Sequence, residues 1–268
     1  MSTTSERPIF QLEAEITART VLAPGYYHFV VRAPEIAAAA HPGQFVQLRV
    51  GTQGAIDPLL ARPISILRTD PARGEMAVIF KTVGRGTALL SSRSVGESLT
   101  ILGPIGNGFT IPPATTRLAL VGGGVGMPPL YFLAETLRQT RPEMAITLYY
   151  GGRTAEDLLY LPEWEALGVN VCLTTDDGSR GVRGLITDAL LADLSTFDFL
   201  AACGPRSMLQ AVQRLALHAG IAGQLSLEAR MACGVGACLG CVCATLKGNR
   251  RVCVDGPVFS LTEVCFDA

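Results

Sequence analysis

Lysine is almost missing from this chain. Of its 22 basic residues only Lys81 and Lys247 are lysines, which reads as compositional bias and not as a functional signal. An excess of charge is missing too, because 22 Lys+Arg stand against 23 Asp+Glu for a net −1. No basic stripe is therefore available to hold nucleic acid or an anionic membrane. Long apolar runs are also lacking. Mean hydropathy is +0.34, yet the most apolar uncharged stretch, 118–134, has 17 residues and is broken by Gly122, Gly123, Gly124, Gly126, Pro128 and Pro129. A spanning helix needs about 20 apolar residues without such interruptions, so no membrane association is expected. Residues 1–8 are polar and lack the apolar core of a signal peptide. The expectation is a cytoplasmic protein with reduced thiols. Disorder is excluded by 49% apolar and 17% charged residues.

What is present is organised in three rhythms over 268 residues, a length for one large domain or two ordinary ones. Over 8–112 short strands alternate with turns. Gln44-Phe45-Val46-Gln47-Leu48-Arg49-Val50 alternates as a half-buried strand does, and 76–83 and 99–102 are also strand-like. Little helix among such strands suggests an antiparallel β-barrel. Over 113–227 strands are expected at 118–121, 146–150, 169–174, 197–202 and near Leu225. Helices are expected after the glycines to about Arg138, and near 163–167, 187–194 and 205–219. That alternation predicts an α/β doubly wound parallel sheet. Pro112-Pro113 marks the change of rhythm. The remainder, 228–268, is too short to bury a core alone, so a metal staple is expected there.

Eight cysteines give the sharpest signal. Cys172 and Cys203 stand apart, and the other six fall in the last 36 residues, which points to a metal or redox centre. Cys233, Cys238 and Cys241 have the C-x4-C-x2-C spacing of a plant-type [2Fe–2S] site. Three thiolates on one tight loop can wrap a cluster from one side, and Gly234, Gly236 and Gly240 let main-chain N–H groups approach the sulfurs. Cys253 is expected as the fourth ligand, returned by a hairpin turning at Gly248-Asn249. Cys243, two residues after Cys241, and Cys265, beside Phe266, are its competitors. A structural zinc site on Cys238 and Cys241 is the bland alternative. It leaves the x4 spacing and the glycines unexplained.

Gly122, Gly123, Gly124 and Gly126 follow a strand and open a helix, where main-chain N–H groups can hold a pyrophosphate. Taken alone, this turn also fits a close strand–helix crossing. Cys203-Gly204-Pro205 ends another strand at the carboxyl edge of the sheet, where such folds bind ligands. A lone Cys203 is equally a buried small hydrophobe. In Arg62-Pro63-Ile64-Ser65 the guanidinium suits a diphosphate, and Gly86-Thr87 offers a phosphate-facing turn. On residue physics Arg62 is as easily a surface arginine.

Taken together, these segments resemble the ferredoxin–NADP reductase superfamily over nearly the whole chain. Arg62-Pro-Ile-Ser65 is similar to its flavin-binding RxYS motif with Ile in place of Tyr. Gly122 to Pro128 resembles its nucleotide loop, and Cys203-Gly-Pro205 its segment beside the nicotinamide. Glu228-Ala-Arg-Met-Ala-Cys-Gly-Val-Gly-Ala-Cys-Leu-Gly-Cys241 with Cys253-Val-Asp-Gly-Pro-Val-Phe259 resembles the electron-transfer subunit of type-B dihydroorotate dehydrogenase. That resemblance implies FAD on Arg62, Pro63, Ile64, Ser65, Ile79, Phe80, Lys81, Gly86 and Thr87. It implies a [2Fe–2S] cluster on Cys233, Cys238, Cys241 and Cys253, NAD(H) as substrate, and Cys203 flanking the nicotinamide. It also implies a separate FMN-containing catalytic subunit, in a heterotetramer that oxidises dihydroorotate to orotate in pyrimidine biosynthesis. The flavin subunit of a sulfhydrogenase or a bifurcating transhydrogenase shares this layout and is the runner-up. A ferredoxin-like scaffold without turnover is the alternative of a different class. For cofactor choice, Arg153 suits a 2′-phosphate, whereas Asp176 or Asp177 suits a ribose and repels a phosphate. Both aspartates read as plainly as solvated turn residues.

Overall fold

The computed structural model describes residues 8–51 and 57–266. Six strands, β1 (Phe10–Ala23), β2 (Tyr26–Arg32), β3 (Phe45–Leu48), β4 (Arg62–Asp70), β5 (Glu75–Lys81) and β6 (Ser98–Ile105), close into an antiparallel barrel in the order β1-β2-β5-β4-β3-β6. Closure leaves no unpaired edge. Two short helices, α1 (Pro34–Ala39) and α2 (Arg85–Ser91), occupy its connections. Alternate residues of β3 divide between two environments. Val46 and Leu48 enter the barrel core with Phe29, Ile66 and Ile101, whereas Phe45 packs outward.

The second layer is a sheet of β7 (Arg117–Gly123), β8 (Ala145–Gly152), β9 (Asn170–Thr175), β10 (Val182–Arg183), β11 (Phe199–Cys203) and β12 (Ala222–Ser226), all parallel. It carries helices α3 (Pro128–Thr140), α4 (Leu161–Ala166), α5 (Ile186–Asp193) and α6 (Arg206–Ala219). Both faces are covered, so β7 is apolar from Leu118 onward, as a central parallel strand must be. Leu118 and Leu120 pack on one side with Leu130, Leu133 and Ala134 of α3, and Ala119 and Val121 pack on the other with Leu190 of α5 and Leu209 and Val212 of α6. The α3 side also takes in Tyr26, Leu67, Ala77 and Ile79 of the barrel, so the two layers share one core. None of the helices among the described residues is long and apolar enough to cross a membrane.

The cysteine-dense segment forms β13 (Val242–Thr245), β14 (Gly248–Arg251) and β15 (Val258–Ser260). The parallel sheet expected over 113–227 is present, and β15 extends it antiparallel to β12, giving the order β10-β9-β8-β7-β11-β12-β15. The segment therefore does not depend on metal alone for burial. Cys241, Val252, Cys253, Phe259, Leu261 and Val264 enter the same core as α6. The structure corrects the expected turn at Gly248-Asn249, because the β13–β14 hairpin turns at Leu246-Lys247, with Thr245 opposite Gly248. The Thr245 hydroxyl caps that turn, donating to Gly248 O at 2.6 Å and accepting from Lys247 N at 3.2 Å. Gly248, at φ +89°, takes the left-handed position that ends it.

Candidate functional site

β7 connects to β8 on one side of the sheet, and the chain later returns to β11 on its other side. The carboxyl ends of β7 and β11 therefore splay around a crevice, the place where open α/β sheets take ligands. A cavity of about 370 Å³ opens there, lined by Gly123, Gly124, Gly126, Gly204 and Pro205, and by Arg153, Thr174 and Asp176 from the ends of β8 and β9. Gly126 must be glycine for closeness, since a Cβ there would stand 2.6 Å from Cys203 O. Gly122 is not in the cavity wall. It lies beneath, against Leu130 and Tyr150, as a packing residue. The hydroxyl of Thr174 is buried in this cavity with no partner among the described residues, an orphaned polar atom that suits a bound ligand. Asp176 faces the cavity, whereas Asp177 accepts from Ser179 N at 2.9 Å and closes its own turn.

A second cavity of about 300 Å³ lies between barrel and sheet. Arg62, Pro63, Ile64 and Ser65 from β4, Ile79, Phe80 and Lys81 from β5, and Thr87 from α2 all line it. The structure thus gathers on one wall the positions that sequence comparison singled out. Gly86 stands behind them, since a Cβ there would lie 2.2 Å from the Arg62 guanidinium. Thr87 anchors the turn by accepting from Val83 N at 2.9 Å and Gly84 N at 3.2 Å. Gly86→Ala is therefore expected to push the flexible Arg62 side chain aside. Bound FAD after purification should fall at least several-fold, with the apoprotein melting temperature nearly unchanged. Absorbance per mole of protein and a melting curve check this.

Cys203 lines the second cavity, not the first, and the Gly204-Pro205 backbone is what faces the nucleotide crevice. Burial pushes the Cys203 thiol strongly up, and the nearby Glu228 adds to this while a hydrogen bond with Ser226 opposes it. It is thus a neutral thiol at ordinary pH, unlike an activated nucleophile. The two cavities share Lys81, Val125 and Glu228 as a common wall. Glu228 opens onto both, and the protein around it pushes its carboxyl up by desolvation.

Lys81 is held across the boundary between barrel and sheet. Its ammonium lies 2.7 Å from the Tyr26 hydroxyl and 3.0 Å from Asp157 Oδ1. Tyr26 donates to the same carboxylate oxygen. Asp157 Oδ2 accepts from Arg153 N at 3.1 Å and Arg153 Nε at 3.2 Å. Burial opposes the charge on Asp157, but the hydrogen bonds from Tyr26, Lys81 and Arg153 outweigh it and hold the carboxyl far below the usual carboxylate range. Burial likewise opposes the charge on Lys81, and its bonds to Tyr26 and Asp157 reverse that effect and raise its pKa.

The four expected ligand cysteines come together in two pairs. Cys233 interacts with Cys238, and Cys253 with Cys241. Main-chain N–H groups of Cys238 and Val235 each donate to Cys233 Sγ at 3.4 Å, and Gly240 N donates to Cys238 Sγ at 3.5 Å. The Cys238 N–H, the largest influence, and its neighbours lower the Cys233 pKa to about 6. Burial, then Cys241, raises that of Cys253 to about 12. Among the described residues no three His, Cys, Asp or Glu side chains are grouped around a single metal ion. Cys233, Cys238 and Cys241 lie on the glycine loop and Cys253 follows β14, a four-thiol set of the kind that can hold a [2Fe–2S] cluster. Cys243 and Cys265 line a separate cavity of about 440 Å³ against the start of α6.

Sequence reasoning had assigned no role to Tyr26, Asp157 or Glu228. Glu228 opens the cysteine motif and was legible as a neighbour of the site. Tyr26 and Asp157 lie 131 residues apart in the chain, and no local pattern links them.

Residues 228–265 match the model of the iron–sulfur cluster binding domain of dihydroorotate dehydrogenase B, and 120–214 match that of the oxidoreductase NAD-binding domain. The chain is similar to the dihydroorotate dehydrogenase B (NAD(+)) electron transfer subunit of Geobacillus kaustophilus, with 39% identity over 93% of this chain and 96% of that one. The subunit of the same name from Desulforamulus reducens is 36% identical over 95% and 98%. Among solved structures, the NADH-dependent reduced ferredoxin-NADP oxidoreductase superposes with a TM-score of 0.85 at 31% identity, covering 95% of this chain and 90% of that one. The ferredoxin reductase of carbazole 1,9a-dioxygenase does so with 0.66 at 27% identity, covering 80% and 67%.

Proposed function

The chain belongs to the family of dihydroorotate dehydrogenase B electron transfer subunits, and on that premise we propose that it passes electrons from an FMN-containing catalytic subunit to NAD⁺ as that subunit oxidises dihydroorotate to orotate. One observation carries this reading. The cavity between barrel and sheet adjoins the nucleotide crevice at Lys81, Val125 and Glu228, and it is also walled by Leu227, Ala229 and Met231, which lead into the cysteine loop. In such an order FAD, when bound, exchanges a hydride with the nicotinamide and single electrons with a [2Fe–2S] cluster.

The residues divide the work accordingly. Over 8–112, Arg62, Ser65 and Thr87 hold the FAD diphosphate and ring edge, with Pro63, Ile64, Ile79, Phe80 and Lys81 along the wall and Gly86 behind Arg62. Over 113–227, Gly123, Gly124 and Gly126 present the nucleotide loop, and Asp176 selects a free ribose, favouring NAD(H) over NADP(H). Over 228–268, Cys233 with Cys238 and Cys241 with Cys253 ligate the cluster. Cys203, a neutral thiol in the flavin wall, positions the nicotinamide end against the flavin. Cys203→Ala is expected to slow NADH-to-flavin transfer about tenfold, equivalent to ~1.4 kcal/mol of barrier, with flavin content intact. Unchanged single-turnover rates would show that the thiol has no such role.

Cys238 is exposed, and Val235, Leu239, Val242, Leu246 and Val254 expose apolar side chains on the same short segment. Such a face suits the catalytic subunit, as one-electron transfer needs the cluster edge close to the partner's FMN and apolar area stabilises the contact. A cytoplasmic heterotetramer fits reduced thiols and the lack of a membrane-spanning helix among the described residues. Co-expression of the chain with an FMN-containing, dihydroorotate-oxidising subunit tests the proposal. Dihydroorotate-dependent NAD⁺ reduction is expected only from the co-purified complex, with FAD and iron in this chain. Flavin and iron present but co-purification with a hydrogenase or transhydrogenase subunit would redirect the assignment.

A further inference from the structure

Gln47 has no place in the site described so far, and its surroundings are unusual. It is 3% exposed, and both its carboxamide nitrogen and its oxygen lack a hydrogen-bond partner among the described residues. An unpaired buried polar group loses its hydration without compensation, so an orphaned amide needs an explanation.

Its neighbours supply one. Gln47 sits on β3, on the same outward face as Phe45, which lines the flavin cavity. Across the ladder it lies opposite Pro63 of the flavin-facing strand β4. On its other side is the cysteine loop. A Cβ placed on Gly234, the residue after Cys233, would stand 3.0 Å from Gln47 Cγ and 3.1 Å from Gln47 Nε2. Gly234 has φ +72° and no side chain, so the loop settles directly on the amide. The barrel strand between flavin and cysteine loop thus presents an N–H donor with nothing to donate to, beneath a loop whose main-chain N–H groups already point at sulfur.

We propose that Gln47 is a positioning residue of the iron–sulfur centre, its carboxamide N–H donating to sulfur at the Cys233 loop and thereby setting the reduction potential of the cluster. This rests on the reading that Cys233, Cys238, Cys241 and Cys253 hold a [2Fe–2S] cluster. Reduction adds negative charge to the sulfurs, and a hydrogen bond to them stabilises the reduced form. Removing the donor makes the cluster harder to reduce. A purely structural glutamine behaves differently, because exchanging an unpaired buried amide for an apolar group of similar shape leaves the potential alone and raises stability.

The experiment uses the full chain with FAD and cluster bound. Gln47→Met keeps the shape and removes the donor. Iron and FAD per chain are expected to match wild type, while the equilibrium constant for cluster reduction falls about tenfold, or ~59 mV for a one-electron couple. The EPR spectrum of the reduced cluster should shift with it. Gln47→Asn, which retains the carboxamide but withdraws it by one methylene, is measured alongside and should shift the same way. It carries the test if Gln47→Met fails to hold iron. An iron-replete variant with the wild-type midpoint and EPR spectrum overturns this inference alone. Wild-type protein that binds no iron overturns the cluster reading and this inference with it.

Discussion

Cys253→Ser is expected to lose most of its iron, with the visible absorption of the cluster bleached and the FAD retained. Cys253 is 1% exposed and paired with Cys241, and its thiol is raised to about 12 by burial and by Cys241. It therefore becomes a thiolate only when metal displaces its proton, and a serine hydroxyl, far less acidic still, does so poorly. The loss should also loosen the C-terminal segment, because Val252 and Cys253 tie the hairpin into the core shared with Phe259 and α6. Cys243→Ser and Cys265→Ser face another cavity and should keep wild-type iron. Iron, acid-labile sulfide and flavin assays on the three variants provide the comparison. An equal fall in all three would refute the ligand set, and a fall confined to Cys243→Ser would name a different fourth ligand.

Asp157→Asn is expected to destabilise the folded protein by about 1–3 kcal/mol, the cost of weakening the charged hydrogen bonds that converge on this carboxylate. The side chain is only 8% exposed, and its carboxylate accepts from Tyr26, Lys81 and Arg153 together. The exposed Arg153 contributes little to this figure. Most of the loss comes from Lys81, which would be left charged at the boundary between barrel and sheet. The double variant Asp157→Asn with Lys81→Met should therefore recover stability relative to Asp157→Asn alone, as urea titrations of the single and double variants would reveal.

The pH dependence of this cluster follows from its shifts. Asp157 is lowered in the folded state, so its contribution is complete above the ordinary carboxylate range and is lost as pH falls through its lowered value. Lys81 is raised, so its contribution is complete below the ordinary lysine value and is lost as pH rises through its raised one. The stability gap between wild type and Asp157→Asn should hold at neutral pH and narrow below about pH 4 by up to ~1.4 kcal/mol per pH unit. A gap independent of pH down to the acid transition would mean that Asp157 is not ionised there.

Much of the site was legible because its parts are local. The spacing of Cys233, Cys238 and Cys241 defines a loop whatever surrounds it, and that loop does aim main-chain N–H groups at sulfur. Leu118-Ala119-Leu120-Val121 declared a central strand by being apolar on both faces. Arg62, Ser65 and Thr87 were readable as motif positions, and β4 and α2 bring them to one wall. The hairpin turn was misplaced because Gly248-Asn249 is a stronger turn signal by composition than Leu246-Lys247. Pairing of β13 with β14 instead puts Gly248 at the strand start, where its positive φ closes the turn.

The amino-acid order alone determined the three rhythms, the cysteine spacing and the Arg62-Pro-Ile-Ser65 motif on its strand, since each depends on residues a few positions apart whose geometry the backbone period fixes. Only the tertiary structure decided the rest. It joined β15 to the parallel sheet, turned Cys203 toward the cavity between barrel and sheet, stood Gln47 under Gly234, and brought Tyr26 and Lys81 of the barrel onto Asp157. These contacts join residues distant in the chain through the docking of one layer on another. The side chains that make them carry no spacing signal, because burial and the loss of water, not sequence position, give each contact its strength.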